Sequence, residues 1–463
     1  MKKAIVIGGG LGGLAAALTL STEYDVHIFE KNAHLGGKMQ RIDIDGFTFD
    51  FGPNTLTMPQ YFWDVIAPFT DAKRVLPFQK IDAPTMHRVG NYDVVFTTDV
   101  AQMVAQLARI DTVSAQHYPA FIEEITRLFH LSEQAFLEKT FFSVKDYVSP
   151  TLGVRLLQAH PFQTLQQFLA HYFPHRDVQQ LFGRFATYIG SSPYATPATF
   201  ALIAYFELVE GTYMLTGGAP TIADVFTQLL KRQGVHVHTN EPIEKIATDG
   251  THISFVETVK GRYGANIFIS DIDYDYMQRQ LGRPMPTHEL STSAYVTLIG
   301  LKEDVPLHYH NVLFSDHYEA EFRALRSGQY AVNATVYSCY PRALDHTRKP
   351  SLFVLINAPN DEAAPTYVQQ QVDQALATWG IKNQVAMRKA LPPTFIRDTF
   401  AVRAGAIYGQ ASNTLKGSFF RPRNRDQHYK NLYYVGGTVH PGGGSPIVVK
   451  GGFEVAKRIL NDN

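Results

Sequence analysis

Cysteine occurs once in 463 residues, at Cys339, so no internal disulfide framework holds this chain and a reducing compartment is expected. Net charge is missing as well. The 42 Lys plus Arg balance 42 Asp plus Glu, which leaves no basic field for a polyanion and excludes nucleic acid as a partner. Charged residues of either sign make up only 18% of the chain. No window approaches the ~20 uncharged apolar residues of a membrane-spanning helix. The nearest candidate, Thr199 to Leu215, carries Glu207 and Glu210, so any membrane contact is expected on a surface. No GxSxG elbow and no catalytic triad is visible, which removes the support for hydrolase chemistry.

What is abundant is apolar: hydrophobics reach 45%, and 31 Phe with 24 Tyr bring aromatics to 12%. A large core, an apolar ligand or a membrane face each accounts for that excess. The length exceeds what one hydrophobic core usually serves, so two or three structural units are expected.

The opening "MKKAIVIGGGLGGLAAALTL" imitates a secretory signal, but glycines interrupt its apolar run at patterned positions and a second strand-like stretch, "DVHIFEK", follows. That argues against a cleaved leader and points to a cytoplasmic chain. Lys3 to Ile7 reads as a buried strand, followed by a glycine turn and a helix to about Leu20. Gly8, Gly10 and Gly13 fall on GxGxxG, the spacing that permits a tight turn, close approach of a pyrophosphate and close helix–strand packing. The phosphate then sits at the positive end of the helix. Glu30, 17 residues after Gly13 and at the end of the second strand, stands where a carboxylate receives hydrogen bonds from ribose hydroxyls. Gly36 and Gly37, followed by Lys38, offer a second close approach with a cation beside it.

From about Phe69 to Gly217 apolar spacings of three and four predict a helical insert. Short strands return between "GVHVHTNEPIEKIATDG" and "ANIFISDI", continue through "STSAYVTLIGL", "YAVNATVYSCY" and "SLFVLINAP", and give way to a helix at "YVQQQVDQALATWG". The two kinds of text interleave, with no internal repeat or low-complexity tract. We therefore expect an α/β chain with two discontinuous domains: 1–68, 218–290 and 400–463 for the dinucleotide, 69–217 and 291–399 for the substrate.

Near the end, "NLYYVGGTVHPGGGSPIVVKGG" packs seven glycines into 22 residues, more backbone freedom than a strand-to-helix turn needs. Leu432 to Val435 reads as a strand, Ser445 as an N-cap and Pro446 as the first helical residue. The free amides around Ile447 and Val448 would direct positive partial charge at whatever enters the glycine pocket. A flavin, which gains negative charge at its pyrimidine edge on reduction, suits that position.

The front block, "DGFTFDFGPNTLTMP", "YIGSSPYATPATFALIAYFELVEG", "FRPRNRD" and the glycine-rich ending together resemble the bacterial phytoene desaturase family, with its diapophytoene desaturases and diaponeurosporene oxygenases. The resemblance runs along the whole chain. It implies a FAD-binding Rossmann-type domain of the amine oxidase/carotene desaturase kind with an interleaved α+β substrate domain. It further implies FAD as cofactor, a long polyene (carotenoid) substrate, peripheral membrane association, and a quinone or oxygen as electron acceptor. The expected cofactor-binding set is Gly8, Gly10, Gly12, Gly13, Glu30, Lys31, Gly36, Gly37, Lys38, Gly436, Gly437, Pro446, Ile447 and Val448. Desaturation of phytoene or diapophytoene leads; terminal-methyl oxygenation, suggested by "HPGGGSP" and "GAIYG", and flavin-dependent isomerisation without net redox change remain alternatives. No catalytic acid or base is assigned.

Other side chains carry two readings each. His440 could move protons or shape its loop, and Arg421, Arg423 and Arg425 could face the flavin or form structural ion pairs. Helix "TFALIAYFELVEG" could line a tunnel or pack in the core, and Tyr61, Phe62 and Trp63 could enter a membrane or the core. His308 with His310 lacks further ligands, and Pro174 breaks the His171–His175 pair, so no metal is expected.

Overall fold

A computed structural model describes residues 1–147 and 150–462. The first strand, Lys2–Ile7, is apolar and buried from Ala4 onward, as a strand covered on both faces must be. It lies at the centre of a five-stranded parallel sheet in the order Leu432–Tyr434, Ile267–Ser270, Lys2–Ile7, Tyr24–Phe29, His236–His238. These strands come from both ends and the middle of the chain. A three-stranded antiparallel sheet, Lys245–Gly264, accompanies it.

A second, seven-stranded sheet runs Val385–Leu391, Ser293–Leu301, Ser351–Ala358, Val336–Cys339, His310–Leu313, Thr85–Val89, Tyr92–Phe96. All nine residues of Ser293–Leu301 are buried, because flanking strands and packed side chains cover it on every side. The last two strands correct one expectation: the segment after Phe69 is not purely helical. Thr85–Val89 and Tyr92–Phe96 form a hairpin around Gly90, whose φ is 54°, and this hairpin extends the sheet. The expected helices are present around it, among them Val100–Ala108, Thr112–Ser132, Leu165–Tyr172 and Arg176–Gly183. Tyr61 and Phe62 are buried and the Trp63 indole donates to the Leu76 carbonyl, so that helix belongs to the core and not to a membrane face.

Two helices fix the side of the parallel sheet that carries the glycine turn. The first, Leu11–Leu20, is buried along its whole length, and the closing helix, Ser445–Asp462, packs across it. Their contact is backbone on backbone: a Cβ on Gly452 would stand 2.2 Å from the Gly12 carbonyl oxygen. A buried ion pair ties the seven-stranded sheet to the front of the chain, with Arg348 donating to both Asp50 oxygens at 2.6 and 3.1 Å.

Gly452→Ala is expected to lower unfolding free energy by about 1–3 kcal/mol through overpacking, whereas Gly153→Ala, in a helix and with open space around it, is expected to raise it slightly. Denaturant titration of both variants checks the pair.

Candidate functional site

The glycine turn is left free of side-chain caps. Gly10 precedes the first helix and brings no capping side chain; the amides of Gly10 and Gly13 face the Asp271 carboxylate, which leaves those of Leu11 and Gly12 to an anionic group. Gly8 adopts φ 97°, which only glycine takes without strain. The second glycine pair lies directly against this turn: the Gly36 amide donates to the Gly9 carbonyl at 2.7 Å, and a Cβ on Gly37 would come within 3.1 Å of the Gly10 Cα. Glu30 is buried at the end of Tyr24–Phe29, accepting from the Gly9 and Asn32 amides at 2.8 Å each. Lys31 donates to the Asp398 carbonyl and Lys38 to that of Ile407. Burial lowers the Lys38 ammonium to about 8, against the opposing pull of Asp273 and Asp271.

These residues surround a cavity of about 360 Å³. Gly8, Gly10, Glu30, Lys31, Gly36, Gly37, Lys38, Gly436, Gly437 and Val448 line it. Gly12 and Gly13 do not. Their role is packing, since a Cβ on Gly13 would lie 2.6 Å from the Gly8 carbonyl. Pro446 and Ile447 face a second cavity of about 310 Å³, so the closing helix serves both. The two cavities share Gly52, Pro53, Phe353, Leu355, Ile407, Tyr408, Gly443, Gly444 and Ser445. An uncapped helix start, a ribose-position carboxylate, a second glycine approach with a lysine, and another helix start at the far wall fit an adenine dinucleotide carrying a redox ring.

Asp271 is a site residue that local sequence spacing does not reveal. It follows strand Ile267–Ser270, and its carboxylate occupies the space that side chains at Gly10, Gly12 and Gly436 would need, 2.5–2.8 Å from where each Cβ would stand. Burial raises it to about 7, with the amides of Gly13 and Gly10 opposing and Glu30 adding to the rise. The only available signal was the acid at the end of an apolar strand, "IFISD".

The second cavity is walled by Ile189, Phe200, Leu202, Ile203, Phe206, Val312 and Phe419. The stretch Ala198–Glu210 lines it in three windings: a 3₁₀ turn, a short α turn and a π turn at Phe206–Glu210. Among the three arginines of "FRPRNRD" only Arg421 reaches a cavity. It is buried and donates to the Tyr408 and Gln410 carbonyls and the Ser412 hydroxyl, and burial brings it down to about 10. Arg425 donates to the Lys430 carbonyl instead. His440 lines the same cavity, but its Nε2–H is shared between the carbonyls of Phe136 and Lys139, and burial lowers it to about 4. It is a neutral donor that anchors its loop.

His310 bonds Tyr337 through Nδ1, and His171 and His175 belong to different helices. Among the described residues, Asp25, His27 and His236 alone bring three ligand atoms within 4.8 Å of one another. They lie along two strands of the parallel sheet and line neither cavity.

The raised Asp271 carboxyl binds its proton more tightly folded than unfolded. Its contribution to stability is present below the unfolded value of about 4 and lost as pH rises through about 7. Asp271→Asn is therefore expected to gain on the wild-type apoprotein with rising pH, by about 1 kcal/mol or more at pH ~8, as read by urea unfolding across that range.

Comparison with known proteins agrees with this geometry. Residues 11–460 match the family described as flavin containing amine oxidoreductase. The chain is 31% identical to a 1-hydroxycarotenoid 3,4-desaturase of Flavobacterium sp. (strain P99-3), over 100% of both chains. It is 27% identical to a 4,4'-diaponeurosporene oxygenase of Staphylococcus haemolyticus, covering 99% of this chain and 97% of that one. It is also 27% identical to a 4,4'-diapophytoene desaturase of Staphylococcus aureus, over 96% of each. A putrescine oxidase variant shares the fold, with TM-score 0.67 at 12% identity over 100% of this chain and 99% of that one. With a family match spanning nearly its whole length and a cavity built for a dinucleotide, the chain belongs to the flavin containing amine oxidoreductases.

Proposed function

We infer that this protein is a FAD-dependent carotenoid desaturase. The observation that carries the reading is the junction of the two cavities, where an apolar chamber meets the dinucleotide site across Ile407, Tyr408 and Gly443–Ser445; the desaturases among its relatives agree with it. Bound FAD would supply the acceptor for a hydride leaving an allylic carbon, while the neighbouring carbon loses a proton and its C–H electron pair becomes the new double bond. The chain's own residues do the rest. Gly8–Gly10, Glu30, Gly36–Lys38 and Gly436–Gly437 would hold the cofactor; the Val448 amide, expected to be free, donates to the Gly444 carbonyl at 2.9 Å, so the positive end of the closing helix would favour negative charge at the shared wall through its dipole. The Phe, Ile and Leu walls exclude water and align the polyene, whose conjugation spreads positive charge as the hydride departs. Within this reading, 1–68, 218–290 and 400–463 form the FAD domain and 69–217 with 291–399 the substrate domain.

Exposed apolar side chains near the chamber support access from a membrane surface. Phe420 is 58% and Leu415 40% exposed, flanking Phe419, which lines the chamber. Phe162 is 77% exposed, and Gln163 beside it accepts from Ala198, next to the lining residue Thr199. No helix among the described residues is long and apolar enough to cross a membrane. The oxygenase relative keeps terminal-methyl oxygenation as the second reading.

Supplied with acyclic carotenoids in a pigment-free host, the chain is expected to yield products lighter by hydrogen pairs and free of added oxygen; any gain of oxygen, read by mass spectrometry, would establish the oxygenase instead. Phe162→Glu with Phe420→Glu is expected to weaken liposome co-sedimentation about tenfold or more while retaining the flavin absorbance. Unchanged sedimentation would refute the membrane face.

A further inference from the structure

One group of charges inside the apolar chamber has no place in cofactor binding. Arg184, at the start of the 3₁₀ turn Arg184–Ile189, and Glu207, in the π turn, are 6% and 4% exposed and both line the chamber. The Arg184 guanidinium approaches Glu207 Oε1 at 3.5 Å and the Tyr188 hydroxyl at 3.2 Å, and it lies over the rings of Phe96, Phe185 and Tyr188. The Tyr188 hydroxyl also donates to Glu207 Oε1. All protein contacts therefore fall on one carboxylate oxygen. Glu207 Oε2 is buried without a partner among the described residues, and so is the hydroxyl of Tyr318 on the same cavity wall.

A buried carboxylate oxygen left without a partner keeps the full penalty of its lost hydration. A hydrocarbon entering the chamber would seal it in that state. A ligand with a neutral O–H donor would relieve it. A carboxylate ligand is disfavoured by Glu207, and an ammonium by Arg184, while the pair itself is neutral overall. Resting on the desaturase reading, we propose that the substrate is an oxygenated polyene whose hydroxyl donates to Glu207 Oε2, with Arg184 and Tyr188 as the positioning residues that hold this acceptor in place.

The test uses the FAD-loaded protein and two polyenes differing only in one terminal tertiary hydroxyl. Binding is read from the polyene absorbance shift and turnover from product mass. The wild type is expected to prefer the hydroxylated polyene at least about tenfold in both Kd and kcat/KM. Glu207→Gln is expected to shrink that preference. The charge-free pair Arg184→Met with Glu207→Leu, which leaves no lone buried ion, is expected to bring it within about twofold. Equal affinity of the wild type for both polyenes, or a preference untouched in both variants, overturns the proposal. Hydroxyl-selective binding without loss of hydrogen upholds it and defeats the desaturase reading instead.

Discussion

The contact between two helix backbones at Gly12 and Gly452 governs the rest of the molecule. Because Gly452 has no side chain, the closing helix approaches the Gly12 carbonyl to a distance that a Cβ there would forbid. The starts of the two helices are thereby fixed on opposite walls of one cavity. The same economy of atoms recurs at Gly13 against Gly8, and Gly37 against Gly10. Asp271 fills what these glycines leave, so a single carboxyl wedges between the first helix and the Gly436 turn. The rise of its proton affinity is the electrostatic mark of that enclosure.

On either side of the shared wall the two cavities use different chemistry. The dinucleotide side relies on backbone amides and a few ions, because phosphate and ribose are recognised by directional hydrogen bonds. The second cavity relies on aromatic and aliphatic walls, which suit a ligand that offers area and little else. Arg184 with Glu207 and the carbonyl-bonded Arg421 are the exceptions, and among the described residues only the first of them leaves a carboxylate oxygen without a partner.

Legibility from sequence divides along the same line. Strand Lys2–Ile7, the helix after it, Glu30 and the second glycine pair could be read because local spacing encodes them. So could the Leu432–Tyr434 strand and the helix that starts at Ser445. Asp271 could not, since its significance lies in Gly10 and Gly12 from the front of the chain and Gly436 from its end converging on it. The hairpin at Gly90 was hidden inside text that elsewhere has helical spacing, although "VGNY" between alternating apolar residues was its signal. The partnership of Arg184 with Glu207 was invisible as well. In the sequence Glu207 is only an interruption in an apolar run, whereas the π turn carries it into the chamber.

The strand order carries one more consequence, for biosynthesis. Leu432–Tyr434 forms the edge of the parallel sheet beside Ile267–Ser270, and the wall opposite the first glycine turn comes from Gly436 to Val448. A ribosome makes the opposite wall more than four hundred residues before it makes this one. Until Leu432 to Val448 emerge from the exit tunnel, the nascent chain exposes an unpaired inner strand and half a nucleotide pocket. Flavin loading must wait for that segment, and a chain terminated before it would be a target for quality control with no cofactor to rescue it.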